Sequence, residues 1–180
     1  MRPALAPLAA ILIGFAAGLA LVHVRPDVYA QGKGGGKGGG GGGGGNNPNV
    51  QCTIAGVTPV AFGIYDALSP TPATSTGTLN FGCTPKGATV TVKITIGASA
   101  ASGSITDRAM LEAGGSDELH YNLFQDQRGS VIWGDDVNGG SSLVITGQQT
   151  FSVEIYGIAR PGQPAAEGLY ADSLTITIQP

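Results

Sequence analysis

The sequence predicts an all-β sandwich, held by one disulfide and unfinished along its last strand. Three observations carry this reading. The stretch Ser173–Gln179 alternates, with Leu174, Ile176 and Ile178 apolar and Ser173, Thr175, Thr177 and Gln179 polar. A period of two is the signature of a half-buried strand with one face on a core and one in water. Short runs of the same kind recur from Val50 onward, separated by clusters of Gly, Pro, Asn, Asp and Ser. Finally, the chain has only two cysteines, Cys52 and Cys83. The sequence ends two residues after Ile178, so no later strand is expected to cover the edge of the last one. An uncovered edge beside an apolar face is an aggregation hazard, or a binding site for a strand of another chain.

The N-terminal stretch reads as a secretory signal over residues 1–30. Arg2 gives a positive start, Ala4 to Val22 is apolar apart from small residues and Pro7, and Val28-Tyr29-Ala30 fits a cleavage box with the cut after Ala30. The competing reading is a retained membrane anchor, since the run approaches the ~20 residues that span a bilayer. Pro7 and Gly14 weaken such a span. Residues 31–49 follow as a flexible arm: glycines broken by Lys33 and Lys37, then Asn46-Asn47-Pro48-Asn49. Such a segment has almost no apolar surface to bury, and glycine loses more backbone entropy on ordering than any other residue.

Residues 50–180 form the expected domain. Strands are expected at Gln51–Val57, Pro59–Ile64, Thr76–Cys83, Ala88–Ile96, Glu118–Gln125, Ser130–Trp133, Ser142–Thr146, Thr150–Ile158 and Asp172–Gln179. Val90, Val92, Ile94 and Ile96 face one way, and Thr89, Thr91, Lys93 and Thr95 the other; Phe151, Val153 and Ile155 repeat the pattern. Asp107–Ala113 is the one candidate helical turn. Many short strands with an early cysteine pair suggest an immunoglobulin-like sandwich. In an oxidising compartment the isolated pair is most simply a disulfide, with two free thiols as the alternative. Closing a loop of 31 residues would contribute roughly 3–4 kcal/mol in the chain-entropy account.

Composition and motifs exclude several classes. The net charge is −3, and −4 from Gln31 on, where seven basic residues are scattered among eleven acidic ones. That is no footprint for nucleic acid. Metal binding by the cysteines is disfavoured, because their spacing is far from CxxC and His120 is the one histidine after Ala30. Asp135-Asp136 with Asn138-Gly139-Gly140 lacks the closing Glu of a calcium loop and reads as a solvated turn. Asp117-Glu118 near His120 sit adjacent on a strand and so point to opposite faces, which argues against shared acid–base work. Arg108 and Arg160 are expected to pair with Asp172 or Asp135. The chain has no GxSxG, and its glycine run lacks the GK[ST] of a phosphate loop. No catalytic residue and no cofactor are expected, and the chain is not expected to be an enzyme. The phenylalanines are assigned to the core, while Trp133, beside a polar loop, stays open between core and an exposed sugar-stacking surface.

The ordered blocks of the domain resemble the spore coat protein U domain, the fold of subunits in archaic chaperone–usher pili. The likeness rests on Cys52-Thr53 through Val60-Ala61-Phe62-Gly63-Ile64-Tyr65-Asp66, then Gly77-Thr78-Leu79 to Cys83-Thr84. It continues in Arg108-Ala109-Met110-Leu111, Leu119-His120-Tyr121-Asn122-Leu123-Phe124 and Val131-Ile132-Trp133-Gly134-Asp135. Tyr156-Gly157, Arg160-Pro161-Gly162-Gln163 and Gly168-Leu169-Tyr170-Ala171-Asp172 complete it. The resemblance implies an incomplete sandwich lacking its last strand. A periplasmic chaperone would fill the gap first, and the N-terminal extension of a neighbouring pilus subunit would replace it at an outer-membrane usher. Backbone pairing along the edge and alternate side chains in the groove carry such strand addition.

On this reading the protein is a structural subunit exported through the periplasm to the cell surface, in a fimbrium or coat. The strand-acceptor groove is assigned to Leu174, Ile176 and Ile178 on the last strand and Ile54 and Val57 on the first, with Cys52 and Cys83 tying the early strands. One departure matters. Gln31–Gln51 holds a single bulky apolar residue, Val50, so it is a poor donor strand. The subunit is therefore expected at a pilus tip, or outside polymerisation through this extension. The alternative function is a self-contained secreted module that binds carbohydrate or another surface.

Overall fold

The computed structural model describes residues 18–27 and 50–180. The remainder of the expected signal and the glycine arm lie outside the described residues. Ten strands run in order: β1 Gly18–Asp27, β2 Gln51–Thr58, β3 Val60–Tyr65, β4 Ala73–Thr84, β5 Thr89–Ile96, β6 Arg108–Glu112, β7 Glu118–Phe124, β8 Leu143–Gln148, β9 Thr150–Ala159 and β10 Leu169–Gln179. The described residues contain no helix. The described residues are all-β, as the alternation predicts.

Hydrogen bonding follows the path β2-β4-β9-β7-β6-β10-β1-β3, with β5 pairing β10 and β8. The path bends into two layers at β10. Its first residues, Tyr170 and Ala171, pair with β6, and its last, Ile176–Gln179, pair with β5. One layer is thus β2-β4-β9-β7-β6, and the other is β3-β1-β10-β5-β8. Between them lie Val60, Phe62, Leu79, Val92, Ile94, Ile96, Met110, Leu123, Ile155, Leu174 and Ile176, all buried. Phe62 of β3 meets Tyr121 of β7 edge to face, with centroids 5.9 Å apart. Gly157 of β9 permits this approach, since a Cβ there would stand 2.8 Å from Phe62 Cζ.

Cys52 and Cys83 are bonded, directly opposite each other on β2 and β4. Val90, Val92, Ile94 and Ile96 all face the core. Three expectations need correction. Asp107–Ala113 is not a helical turn: Arg108–Glu112 forms β6, paired with β7 and β10. Its Ala, Met, Leu and Glu are good helix formers, but two flanking strands supply partners that a single turn of helix would lack. Ser130–Trp133 is not a strand and makes only isolated bridges, Phe124 to Ile132 and Trp133 to Ser141. The edge of β10 is not bare in the full chain, because β1 lies along it.

Arg108 also departs from its expected pairing. It is wholly buried and bonds no carboxylate. Its guanidinium donates to the carbonyls of Ile96 (3.0 Å), Gly97 (2.9 and 3.1 Å) and Trp133 (2.9 Å), and to Asn122 Oδ1 (2.6 Å). Burial pulls its pKa down to about 10, partly offset by Tyr121 and Asp172, so it stays charged at neutral pH. The fork geometry of a guanidinium suits this gathering of acceptors. Arg108 joins β6, β7, the end of β5 and the Trp133 loop. Replacing Arg108 with Met should cost about 3–5 kcal/mol by leaving these acceptors buried and unbonded. Replacing the exposed Arg160 with Met should change stability by less than about 0.5–1 kcal/mol. Urea unfolding midpoints of the two variants check the contrast.

Candidate strand-acceptor site

β10 sets the site. Its sequence alternates along the whole strand, burying Tyr170, Asp172, Leu174, Ile176 and Ile178 while Leu169, Ala171, Ser173 and Thr175 remain exposed. On one side it is paired by β6 and β5; on the other it runs parallel to β1, from Leu169 opposite Leu19 to Thr177 opposite Asp27. β1 in turn runs antiparallel to β3, from Gly18 opposite Tyr65 to Val22 opposite Val60. A bulge interrupts this register between Ala20 and Leu21, where Gly63 takes a φ of 71° that favours glycine. β3 and β10 do not pair with each other, so a channel one strand wide separates them.

The walls of the channel are Val60, Phe62 and Tyr65 on β3 and Tyr170, Asp172, Leu174 and Ile176 on β10, all buried. Polar bonds brace both walls. The Tyr65 hydroxyl donates to the Arg160 carbonyl at 2.7 Å and accepts from the Gln163 amide at 3.0 Å. Gln163 is fixed by His120, whose amide donates to its Oε1 at 2.7 Å and whose carbonyl accepts from its Nε2 at 2.8 Å. On the other wall, Asp172 Oδ2 accepts from the Tyr121 hydroxyl at 2.7 Å, and Oδ1 from the Ser173 amide at 2.8 Å. Burial, and then the adjacent Asp172, push the Tyr121 phenol far above its ordinary pKa.

Leu174 and Ile176 stand opposite Val24 and Pro26 of β1, just past Val22, the last β1 residue paired with β3. Ile178 lies one residue past the last β1 partner and pairs with Ile94. Ile54 and Val57 are half-buried on β2, which pairs with β4, and the structure does not bring them to the channel. The wall opposite β10 is β3, two residues further along the sequence. The signal for it was the alternation of Val60 and Phe62 with Ala61, read as an ordinary strand.

The other candidates sit elsewhere. Asp107 Oδ1 bonds Arg160 Nη2 at 2.6 Å and lies 3.1 Å from His120 Nδ1, a half-exposed surface cluster. Arg160 thus pairs with Asp107 rather than with Asp172 or Asp135. The 135–142 loop spends its carboxylates internally: Asp135 Oδ1 accepts from the amides of Val137 and Asn138. Asp136 accepts from Ser142 and from Lys93 Nζ at 2.8 Å. Lys93 and Ser142 hold the Asp136 carboxyl well below its usual pKa. Among the described residues no group of three His, Cys, Asp or Glu is arranged to hold a metal. Trp133 is wholly buried and donates its indole N–H to the Ile94 carbonyl at 3.0 Å, so it presents no face to a sugar.

Comparison with known proteins adds a family. Residues 47–177 match the model of the Spore Coat Protein U domain. No curated protein matches the chain. Two solved structures are similar at 16% identity. One is the CsuC–CsuE chaperone–tip adhesion subunit pre-assembly complex from archaic chaperone–usher Csu pili of Acinetobacter baumannii, with a TM-score of 0.46, covering 72% of this chain and 40% of that one. The other is a chaperone–tip adhesin complex vital for synergistic activation of CFA/I fimbriae biogenesis, with a TM-score of 0.44, covering 73% and 41%. The chain spans about two fifths of the length of these matched chains.

The Tyr121–Asp172 bond generates a pH prediction. A raised folded-state pKa means the contribution is complete below the ordinary tyrosine value of about 10 and is lost as pH rises above it. Tyr121→Phe leaves Asp172 Oδ2 without its donor and should cost about 1–3 kcal/mol at neutral pH. Denaturant midpoints of parent and variant, followed from pH 7 to 11, should converge above pH ~10.

Proposed function

The chain belongs to the Spore Coat Protein U domain family, and from that membership we propose that it is an exported structural subunit of a surface pilus or coat. It assembles by accepting a strand from another chain, first from a periplasmic chaperone and then, at an outer-membrane usher, from a neighbouring subunit. It performs no catalysis and needs no cofactor. The observation that carries this reading is the channel between β3 and β10, which no strand of residues 50–180 fills. A domain with such a channel has two unpaired backbone edges beside buried apolar walls. It therefore needs a partner strand to be stable and soluble. Leu174 and Ile176 are the acceptor residues on β10; on β3, Val60 lines up with Asp172 across the channel. Location at the fibre tip follows from Gln31–Gln51, whose glycines offer no side chains to a neighbour's channel.

Two measurements test this. The exported chain, processed after Ala30, is produced in a periplasm with and without a chaperone of the usher class. It should be recovered as a stoichiometric complex with the chaperone, and be degraded or aggregated without it. The double variant Leu174→Asp/Ile176→Asp should lose the complex. Recovery of a soluble, cooperatively folding monomer without chaperone would overturn the reading and favour a self-contained binding module. For tip location, a synthetic Gln31–Gln51 peptide is mixed with the chaperone-bound subunit. No displacement of chaperone is expected, and a stable peptide complex would remove the tip assignment.

A further inference from the structure

The channel carries apolar side chains on its outer rim as well as on its inner walls. Ile64 near the end of β3 is 71% exposed and Leu169 at the start of β10 is 59% exposed, although both lie within strands. The register brings them level, since both stand opposite position 19 of β1, one on each side. The next outward position, 21, lies between Ala61 and Ala171. Both alanines are exposed, and Leu111 of β6 pairs with Ala171. A hollow lined in part by Ala100, Ala101, Leu111 and Ala171 continues this apolar ground past β10. An ordinary half-buried strand turns polar residues outward, as β10 does further on with Ser173 and Thr175.

Neighbouring strands stand about 4.8 Å apart, so β3 and β10 are about 10 Å apart across the channel. Ile64 and Leu169 are then too distant to bury each other, but a side chain on a strand between them is a cross-strand neighbour of both. The strand seated there in the structure comes from the stretch expected to be cut off on export, so it stands in for the strand of a partner. Its residues between β3 and β10 are Gly18, Leu19, Ala20, Leu21 and Val22, with no polar residue among them. Leucines therefore hold both outward positions.

We propose that the channel selects a strand that is apolar on both faces over these five positions, and that Ile64 and Leu169 determine the choice by flanking its outward side chain. The partner is a strand of another chain with a bulky apolar residue level with Leu169, rather than one that alternates apolar and polar throughout. This rests on the acceptor reading above and adds the class of strand accepted. Loss of the two cross-strand pairs should weaken uptake about tenfold, equivalent to ~1.4 kcal/mol.

The test uses the chaperone-bound subunit processed after Ala30, with a fluorescent peptide of residues 18–27 as the probe strand. The peptide concentration for half-maximal exchange is measured for the parent sequence, for Leu19→Ser and Leu19→Val on the outward face, and for Val22→Asp on the inward face. Leu19→Ser should need about tenfold more peptide, and Leu19→Val about as much as the parent. A second subunit carries Ile64→Ser and Leu169→Ser, exposed positions whose change leaves the core intact. On it the parent and Leu19→Ser peptides should exchange alike, because the coupling has lost its other half. Equal uptake of these two peptides by the unaltered subunit would overturn the proposal and leave the acceptor channel standing. An undiminished gap between them on the altered subunit would do the same. Exchange of the Val22→Asp peptide as readily as the parent, or of no peptide at all, would overturn the acceptor reading and this proposal with it. Should the altered subunit not be recovered with its chaperone, the Leu19→Ser and Leu19→Val peptides on the unaltered one decide.

Discussion

Everything in this molecule turns on the demand of β10 for partners on both of its edges. Backbone N–H and C=O groups cannot be left unpaired beside a buried face without a cost comparable to a lost hydrogen bond each. β10 buries five of its side chains and stands where the two layers meet. One edge is satisfied from within residues 50–180, by β6 and then by β5. The other has no partner there. A strand must come from outside those residues, and in the full chain it comes from the N-terminal side. The same constraint leaves residues 50–180 with an edge beside buried apolar walls that only a further strand can pair.

The handover of β10 from β6 to β5 needs a rigid corner, and Arg108 provides it. The guanidinium collects carbonyls from the end of β5 and from the Trp133 loop while its own strand pairs with β7 and β10. Trp133 adds an indole bond to Ile94 in β5. Tyr121, register partner of Arg108, carries the connection to Asp172 on the channel wall. Channel and corner are thus one bonded unit. The channel walls are held in place by the polar contacts of Tyr65 on β3 and Asp172 on β10.

The alternation of apolar and polar residues made most strands legible, because a half-buried strand must repeat every two residues. It could not say which strand lies beside which. Ile54 and Val57 were natural choices as the first apolar positions after the arm, yet β2 pairs with β4 and β3 forms the channel wall. Pairing order is decided by how layers stack, and a period of two is blind to it. β6 was hidden by its composition, since its residues favour helix in isolation and only flanking strands override them. Arg108 was hidden because a lone arginine reads as one half of an ion pair; nothing in its neighbours announces three carbonyls converging on it. β1 was hidden by its surroundings. Its short alternation from Leu21 follows an apolar run that reads as a leader, and the run dominates the pattern.

The channel must choose its strand by side chains rather than by backbone. Any extended segment can satisfy the edges of β3 and β10, so hydrogen bonding alone separates no candidate from another. Discrimination rests on what stands opposite Val60, Leu174 and Ile176. A strand with valines at two such positions gains about 1.5–3 kcal/mol from each on burial. A glycine strand gains nothing there and gives up about 0.5–1 kcal/mol per residue on ordering. Two valines therefore separate the segments by at least ~3 kcal/mol, more than a hundredfold in occupancy at ~1.4 kcal/mol per decade. A segment such as Gln31–Gln51, with Val50 as its one bulky apolar residue, cannot supply such a pair.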